Sequence, residues 1–312
     1  MSPGNSRTQE TVAYRGRFAP SPTGPLHFGS LVAAVASYLQ AKINDGEWLV
    51  RVEDIDPPRE VPGATSAILA SLDSHGFEYS TPLYQSTRLE FYDDLIEGLL
   101  DGGLAYRCVC TRRQIEAAAR RGVSGFIYPG TCRPKMADTS QQGTSVRVYT
   151  SPDRTCFTDE LQGRQCCELE TEVGDFLVRR GDGLVAYQLA VVADDYAQGI
   201  SEVVRGTDLL DATFMQTHLQ HLLGYDSPKY LHFPVVTDEN GTKLSKQSGA
   251  AEINDNSISA NLYWALHSLR QHPQESLKTA PTRDIWNWAV ENWDLNALRG
   301  LQTLPDGSMM MQ

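Results

Sequence analysis

Two stretches far apart in the chain carry residue types suited to polyphosphate chemistry. The first runs Arg17-Phe-Ala-Pro-Ser21-Pro-Thr23-Gly24-Pro-Leu-His27-Phe-Gly29-Ser30. Its prolines fix a tight loop, and its glycines let a backbone approach a ligand closely. His27 can donate a hydrogen bond without a full charge. If a helix begins where the loop ends, its free N–H groups and positive dipole end offer a phosphate site. From spacing alone, a Pro/Gly turn with a surface histidine reads equally well. Neither the P-loop nor the dinucleotide fingerprint occurs here. The second stretch, Thr237-Asp-Glu-Asn-Gly-Thr-Lys243-Leu-Ser245-Lys246-Gln247, sets two lysines and a hydroxyl on a Gly-containing turn. Such a loop can grip a polyphosphate or be solvated decoration.

A third group is sulfur-rich. Cys108-x-Cys110 is followed by Tyr128-x-x-x-Cys132. Thiolates two residues apart on a knuckle can share one metal, and Zn²⁺ prefers four tetrahedral ligands. Only three cysteines are local, so the fourth ligand must be another group or water. Cys156, Cys166 and Cys167 read as packing residues, because adjacent cysteines in a strand face opposite ways. All six cysteines are expected reduced, since a chain this long needs no staples and shows no secretion signal.

These residues must be positioned by elements whose pattern is legible. Val12 to Phe18 alternates as a strand, Ser30 to Gln40 has helical spacing, and Glu47 to Glu53 reads as a second strand. The opening is therefore β–loop–α–β, the start of a nucleotide-binding sheet. Arg17 and Glu53 fall at the two strand ends, and Arg205 follows Val203-Val204. Helices are expected over 63–75, 87–101 and 209–223, with Thr87 and Glu90 as a capping box for the second. Residues 102–182 read as an insertion, and Tyr187 to Val192 as a return to strand. Residues 281–301, with Trp286, Trp288 and Trp293, read as terminal helices whose aromatics fill a small core.

The 312 residues carry 27 basic and 39 acidic side chains, a net charge of −12, which argues against non-specific nucleic-acid binding. A composition of 41% hydrophobic and 21% charged residues reads as globular, not disordered. No apolar run is long enough for a membrane span. With no signal-peptide pattern at the N-terminus, a cytoplasmic protein is expected.

His27-Phe-Gly-Ser30 resembles the His-Ile-Gly-His signature of the class I aminoacyl-tRNA synthetases, with Ser30 replacing the second histidine. Lys243-Leu-Ser245-Lys246-Gln resembles their Lys-Met-Ser-Lys-Ser loop. The run from Arg17 to His27 is similar to the glutamyl branch in particular. So are Gly206-Thr-Asp208-Leu-Leu-Asp211-Ala-Thr and Leu231-His-Phe-Pro. The resemblance spans about residues 12 to 250.

It implies an α/β fold, a Rossmann-like doubly wound parallel sheet with an inserted zinc-bearing subdomain and a small C-terminal helical region. The expected divisions are 1–101 and 183–250 for the two halves of the catalytic domain, 102–182 for the insertion and 251–312 for the terminal helices. The resemblance implies that His27, Lys243, Ser245 and Lys246 act on ATP, brought with Mg²⁺, as pyrophosphate leaves. Thr23, Gly24, His27, Gly29, Ser30 and Lys246 would bind the nucleotide. Ser30 can hydrogen-bond but cannot do the work of an imidazole. Arg17, Ser21, Glu53, Tyr187 and Arg205 match glutamate-contacting positions: Glu53 would hold the α-ammonium, and Arg205 with Arg17 the carboxylates. In the similar glutamyl-Q subgroup a tyrosine oxygen, here Tyr128, completes a structural Zn²⁺ set with Cys108, Cys110 and Cys132.

About 65 residues follow Lys246, too few for the large anticodon-binding region of a complete glutamyl-tRNA synthetase. The expected activity is therefore that of the short subgroup. It activates L-glutamate with ATP, then transfers it to the queuosine cyclopentenediol of tRNA(Asp). A monomer is expected. The alternatives are an acceptor-end glutamyl-tRNA synthetase lacking that region, or a non-catalytic nucleotide- or RNA-binding module.

Overall fold

The computed structural model describes residues 13–122, 125–133, 145–237, 253–254 and 256–305. In chain order its first elements are β1 (Arg15–Phe18), α1 (Phe28–Ile43), β2 (Glu47–Val52), α2 (Ala64–Ser74), β3 (Leu83–Tyr84) and α3 (Leu89–Asp101). Then come β4 (Ala105–Cys108), α4 (Arg112–Ala118), β5 (Arg121–Gly122), β6 (Gly125–Phe126), β7 (Ser145–Val148), β8 (Thr155–Asp159), β9 (Gly163–Cys167), α5 (Leu169–Glu172) and β10 (Leu177–Arg179). The last are α6 (Tyr187–Ala197), β11 (Glu202–Gly206), α7 (Leu210–Leu223), β12 (Lys229–Phe233), β13 (Val235–Thr237), α8 (Ile258–Ser268), α9 (Thr282–Asn292) and β14 (Thr303–Pro305).

The chain is α/β with parallel pairing at its centre. β1 pairs in parallel with β2, and β2 with β3; β11 pairs in parallel with β12. The two sets meet where the Ser201 N–H donates to the Arg15 carbonyl at 2.9 Å. The order β3-β2-β1 followed by β11-β12 reverses direction between β1 and β11, the switch point where doubly wound sheets bind ligands. β8 extends the second set by pairing in parallel with β12, and β9 closes its edge antiparallel. β4, β7 and β10 form a separate antiparallel sheet.

Hydrophobic burial explains the arrangement. α1 sinks Leu31, Val32, Val35 and Leu39 against Val50, Val204 and Leu231 of the sheet. Burying each such side chain is worth roughly 1.5–3 kcal/mol. Trp286 of α9 joins the same core, 4.8 Å from the Tyr38 ring, and its indole N–H donates to the His75 carbonyl. The terminal aromatics thus fill a core as expected, but it is the main one and not a small one of their own. Among the described residues, no helix is long and apolar enough to cross a membrane.

Three expectations are corrected. Tyr187 to Val192 is the first half of helix α6, not a strand. The valine pair suggested a strand, but Leu189 to Asp195 is an uninterrupted buried run, and burial on all sides removes the periodicity that separates the two. Thr87 does not cap α3: its hydroxyl donates to the Tyr84 carbonyl, and the N-cap is Arg88, whose side chain makes no capping bond. Cys156 and Cys166 are not reduced packing residues but a disulfide. The β8–β9 register sets them directly opposite each other, with Cα atoms 4.2 Å apart. Strand pairing decides that proximity, and residue spacing did not reveal it.

Candidate active site and metal centre

At the carboxyl ends of β1, β2 and β11 lies a crevice of about 520 Å³. Arg17 and Arg205 stand on the two strands that flank the switch point, and Glu53 follows the last residue of β2. The Glu53 N–H donates to the Pro20 carbonyl, which ties the proline loop to the end of β2. One step past Arg205, a side chain on Gly206 would come within 2.7 Å of Val235, so only glycine lets the chain turn this close to the crevice. Ser21, Thr23, His27, Gly29, Ser30 and Tyr187 also line it, whereas Gly24 lies in the loop outside the lining. Lys243, Ser245 and Lys246 lie outside the described residues.

His27 is the N-cap of α1, in extended backbone geometry. Its Nδ1 accepts from the Ser30 N–H at 3.2 Å, and its Nε2 is 2.9 Å from the Ser30 hydroxyl. With Nδ1 accepting, the ring proton sits on Nε2. Ser30 therefore fixes the imidazole from two sides at the positive end of α1.

Glu53 is buried, and its Oε1 has no hydrogen-bond partner. Burial outweighs the nearby Arg51 and Arg17 and pushes its carboxyl from the ordinary 4.5 to about 7. Opposite in sign is Arg205. Its Nε donates to His232 Nε2 at 3.0 Å and its Nη2 to the Thr213 hydroxyl at 2.7 Å, while Nη1 is buried with no partner. Arg51 Nη2 stands 3.9 Å from Glu53 Oε1, an ion pair too long for a hydrogen bond. A buried cationic nitrogen and a carboxylate oxygen on one crevice, neither with a hydrogen-bond partner, are costly unless a ligand completes them.

Arg17 is held from behind. Its Nε and Nη2 donate to the two oxygens of Asp195 at 3.0 and 3.4 Å, and Arg51 Nη2 donates to the same carboxylate at 2.7 Å. These cations outweigh burial and hold the Asp195 carboxyl below the usual range. Asp194 accepts from Gln85, Arg88 and Tyr92. Sequence reasoning missed Arg51, Asp194, Asp195, Asp159 and His232. The signal was present: Asp194-Asp195 ends an apolar run, and acids in a buried stretch must be paired.

The sulfur cluster assembles apart from this crevice. The Sγ atoms of Cys108, Cys110 and Cys132 lie within 4.8 Å of one another. Tyr128 Oη is 3.3 Å from Cys108 Sγ and 3.5 Å from Cys110 Sγ, and Cys110 and Cys132 sulfurs are 3.6 Å apart. Tetrahedral zinc with bonds of about 2.3 Å to sulfur sets S···S edges of about 3.8 Å. Three sulfurs and one phenol oxygen at these separations fit that ion. Burial opposes ionisation of Cys108, but its hydrogen bonds with Tyr128 and Arg147 prevail and bring the thiol to about 7.

Residues 13–269 match the family model "tRNA synthetases class I (E and Q), catalytic domain". The chain belongs to that family. It is 50% identical to a protein of Dechloromonas aromatica named "Glutamyl-Q tRNA(Asp) synthetase", over 91% of this chain and 95% of that one. A Pseudomonas paraeruginosa protein of the same name is 46% identical over 96% of this chain and the whole of its own length. The chain is an aminoacyl-tRNA-synthetase-like ligase. A glutamate-tRNA synthetase structure from Elizabethkingia anophelis superposes with a TM-score of 0.77 at 22% identity, covering 95% of this chain and 68% of that one. That likeness concerns the fold alone. It bears out the α/β reading with a parallel sheet at its centre.

Proposed function

We propose that this ligase activates L-glutamate with ATP and transfers the glutamyl group to the cyclopentenediol of queuosine in tRNA(Asp). The observation that carries the first step is the pair of buried atoms without hydrogen-bond partners on one crevice, Arg205 Nη1 and Glu53 Oε1. A free amino acid offers both complements, a carboxylate and an ammonium. Arg17, braced by Asp195, supplies a second cation for the second carboxylate, and Ser21 and Tyr187 bound the same pocket. The apolar part of the crevice, with Leu26, Val32 and Val236, suits an adenine ring.

Activation joins an oxygen of the glutamate α-carboxylate to the ATP α-phosphorus, and pyrophosphate leaves. Thr23, Gly24, Gly29 and Ser30 form the loop and helix start that receive the phosphates, and His27 donates to them when its Nε2–H, here against the Ser30 hydroxyl, turns to the ligand. Lys243, Ser245 and Lys246 are proposed to offset the charge that grows on the leaving pyrophosphate, with Mg²⁺ arriving on ATP. A queuosine hydroxyl then attacks the glutamyl carbonyl and AMP departs. The tRNA half of the reading is supported by the name its relatives carry. The Cys108, Cys110, Tyr128 and Cys132 set is proposed to hold a structural Zn²⁺ with no part in the chemistry.

The test has two stages. Purified protein should exchange labelled pyrophosphate into ATP when given glutamate alone, and Lys246→Ala should lower that rate by about 10²–10³. Labelled glutamate should then charge tRNA(Asp) that contains queuosine, with the label on the anticodon fragment after cleavage. Label on the terminal adenosine, or equal charging without queuosine, would favour an acceptor-end enzyme.

A further inference from the structure

Arg205 does not hold its place alone. Its Nε–H is directed at His232 Nε2, so that nitrogen must present a lone pair and carry no proton. The other ring nitrogen, Nδ1, lies 2.7 Å from Asp159 Oδ2 and donates to it; the same oxygen accepts the His232 backbone N–H at 3.0 Å. Asp159 is itself fixed at the end of β8, where its Oδ1 accepts the N–H groups of Leu161 and Gln162. Both His232 and Asp159 are buried, and the imidazole is flanked by the rings of Phe157 and Tyr230. Thr213, whose hydroxyl lies 3.1 Å from His232 Nε2 and accepts from Arg205 Nη2, completes the surround.

We infer that His232, a neutral imidazole fixed in its Nδ1–H tautomer by Asp159, is a positioning residue that aims Arg205 at the amino-acid substrate. This rests on the reading that Arg205 binds a glutamate carboxylate. With Nε committed to His232 and Nη2 to Thr213, the guanidinium plane is set, and Nη1 is the nitrogen left for a ligand. A protonated imidazole would place an N–H against the Arg205 N–H and push the two cations apart. Burial, aided by the Arg205 charge, keeps His232 near 4, so the acceptor persists at neutral pH. Asp159 and His232 come from β8 and β12, brought together by the parallel pairing of those strands.

Two substitutions separate positioning from mere packing, because asparagine and glutamine reproduce different nitrogens of the ring. His232→Asn retains a donor near the Nδ1 position for Asp159 and removes the acceptor that Arg205 uses. His232→Gln places an amide oxygen near the Nε2 position and restores that acceptor. With glutamate-dependent pyrophosphate exchange as readout, His232→Asn should raise the glutamate KM by about 10- to 100-fold, as expected for losing a hydrogen bond to a charged group. The ATP KM should stay within about twofold. His232→Gln should recover most of the loss. An unchanged glutamate KM in His232→Asn, or equal rises in both KM values, would overturn the inference. Nitrogen NMR of the histidine-labelled protein at pH 7 gives an independent check. A neutral, Nδ1-protonated His232 is expected; an imidazolium or Nε2–H form refutes it, even if the asparagine variant does not fold. Wild-type protein that shows no glutamate-dependent exchange would instead refute the glutamate reading, and the NMR result would still judge the tautomer.

Discussion

Glu53 concentrates the competition between stability and function into one side chain. Its folded value of about 7 lies above the ordinary 4.5, so the folded chain holds this proton more tightly than the unfolded one. The stability from this group is fully present below about pH 4.5 and is lost as pH rises through about 7. Above that pH the ionised carboxylate has Arg51 3.9 Å from Oε1 but no hydrogen bond there, and a ligand ammonium would supply one. Glu53→Gln should therefore melt higher than wild type at pH 8, with the gap closing towards pH 5 in calorimetry. The same variant should lose glutamate-dependent exchange. In wild type the glutamate KM should fall as pH rises from 6 to 8; a flat profile would show that Glu53 does not meet the ammonium. Ser30 makes a smaller contribution. Ser30→Ala removes the hydroxyl on His27 Nε2 but leaves the backbone bond to Nδ1. A neutral hydrogen bond is worth about 0.5–1.5 kcal/mol, so exchange should slow by about 2- to 10-fold without change in glutamate KM.

At the scale of elements, β8 and β9 link distant parts of the chain. β8 supplies Asp159 to β12, and the disulfide between Cys156 and Cys166 ties β8 to β9. Replacing both cysteines by serine should cost about 2 kcal/mol and lower the melting temperature of the non-reduced protein by several degrees. Adding reductant to wild type should reproduce that loss, measured by thermal denaturation; no difference between reduced and non-reduced wild type would mean the bridge contributes nothing. α6 is the other organising element. Through Asp194 and Asp195 it anchors Arg17, Arg51 and Arg88, and its first residue, Tyr187, lines the crevice. A strand there would turn Asp194 and Asp195 to opposite faces, whereas the helix directs Asp195 to Arg17 and Arg51 and Asp194 to Arg88.

For the molecule as a whole, the crevice and the sulfur cluster belong to different sheets, and the two should be separable. Metal analysis should find close to one Zn²⁺ per chain. Chelation should raise hydrogen exchange over residues 105–133 and leave glutamate-dependent exchange largely intact. Loss of both together would mean that the cluster takes part in activation. The net charge of −12 gives little general attraction to RNA. Under the proposed function, selectivity for one tRNA then rests on a shaped pocket that hydrogen-bonds the modified base, and such sites discriminate by about 10⁴–10⁵.

By itself the sequence determined which polar residues come to the crevice. Strand ends, a proline loop and a helix start left local marks that placed Arg17, Glu53, His27 and Arg205, while the family resemblance supplied their proposed roles; the Cys108–Cys132 group was legible because thiols at short spacing can share a metal. The helices whose caps or periodicity are local, α1, α2 and α7, were legible for the same reason. The structure alone decided which residues brace them. His232 and Asp159 are 73 positions apart and Arg17 and Asp195 are 178 apart. No periodicity connects such pairs; parallel pairing and helix packing do. The same holds for the Cys156–Cys166 bridge, set by strand register, and for α6, where burial on every side erased the pattern that distinguishes a helix from a strand.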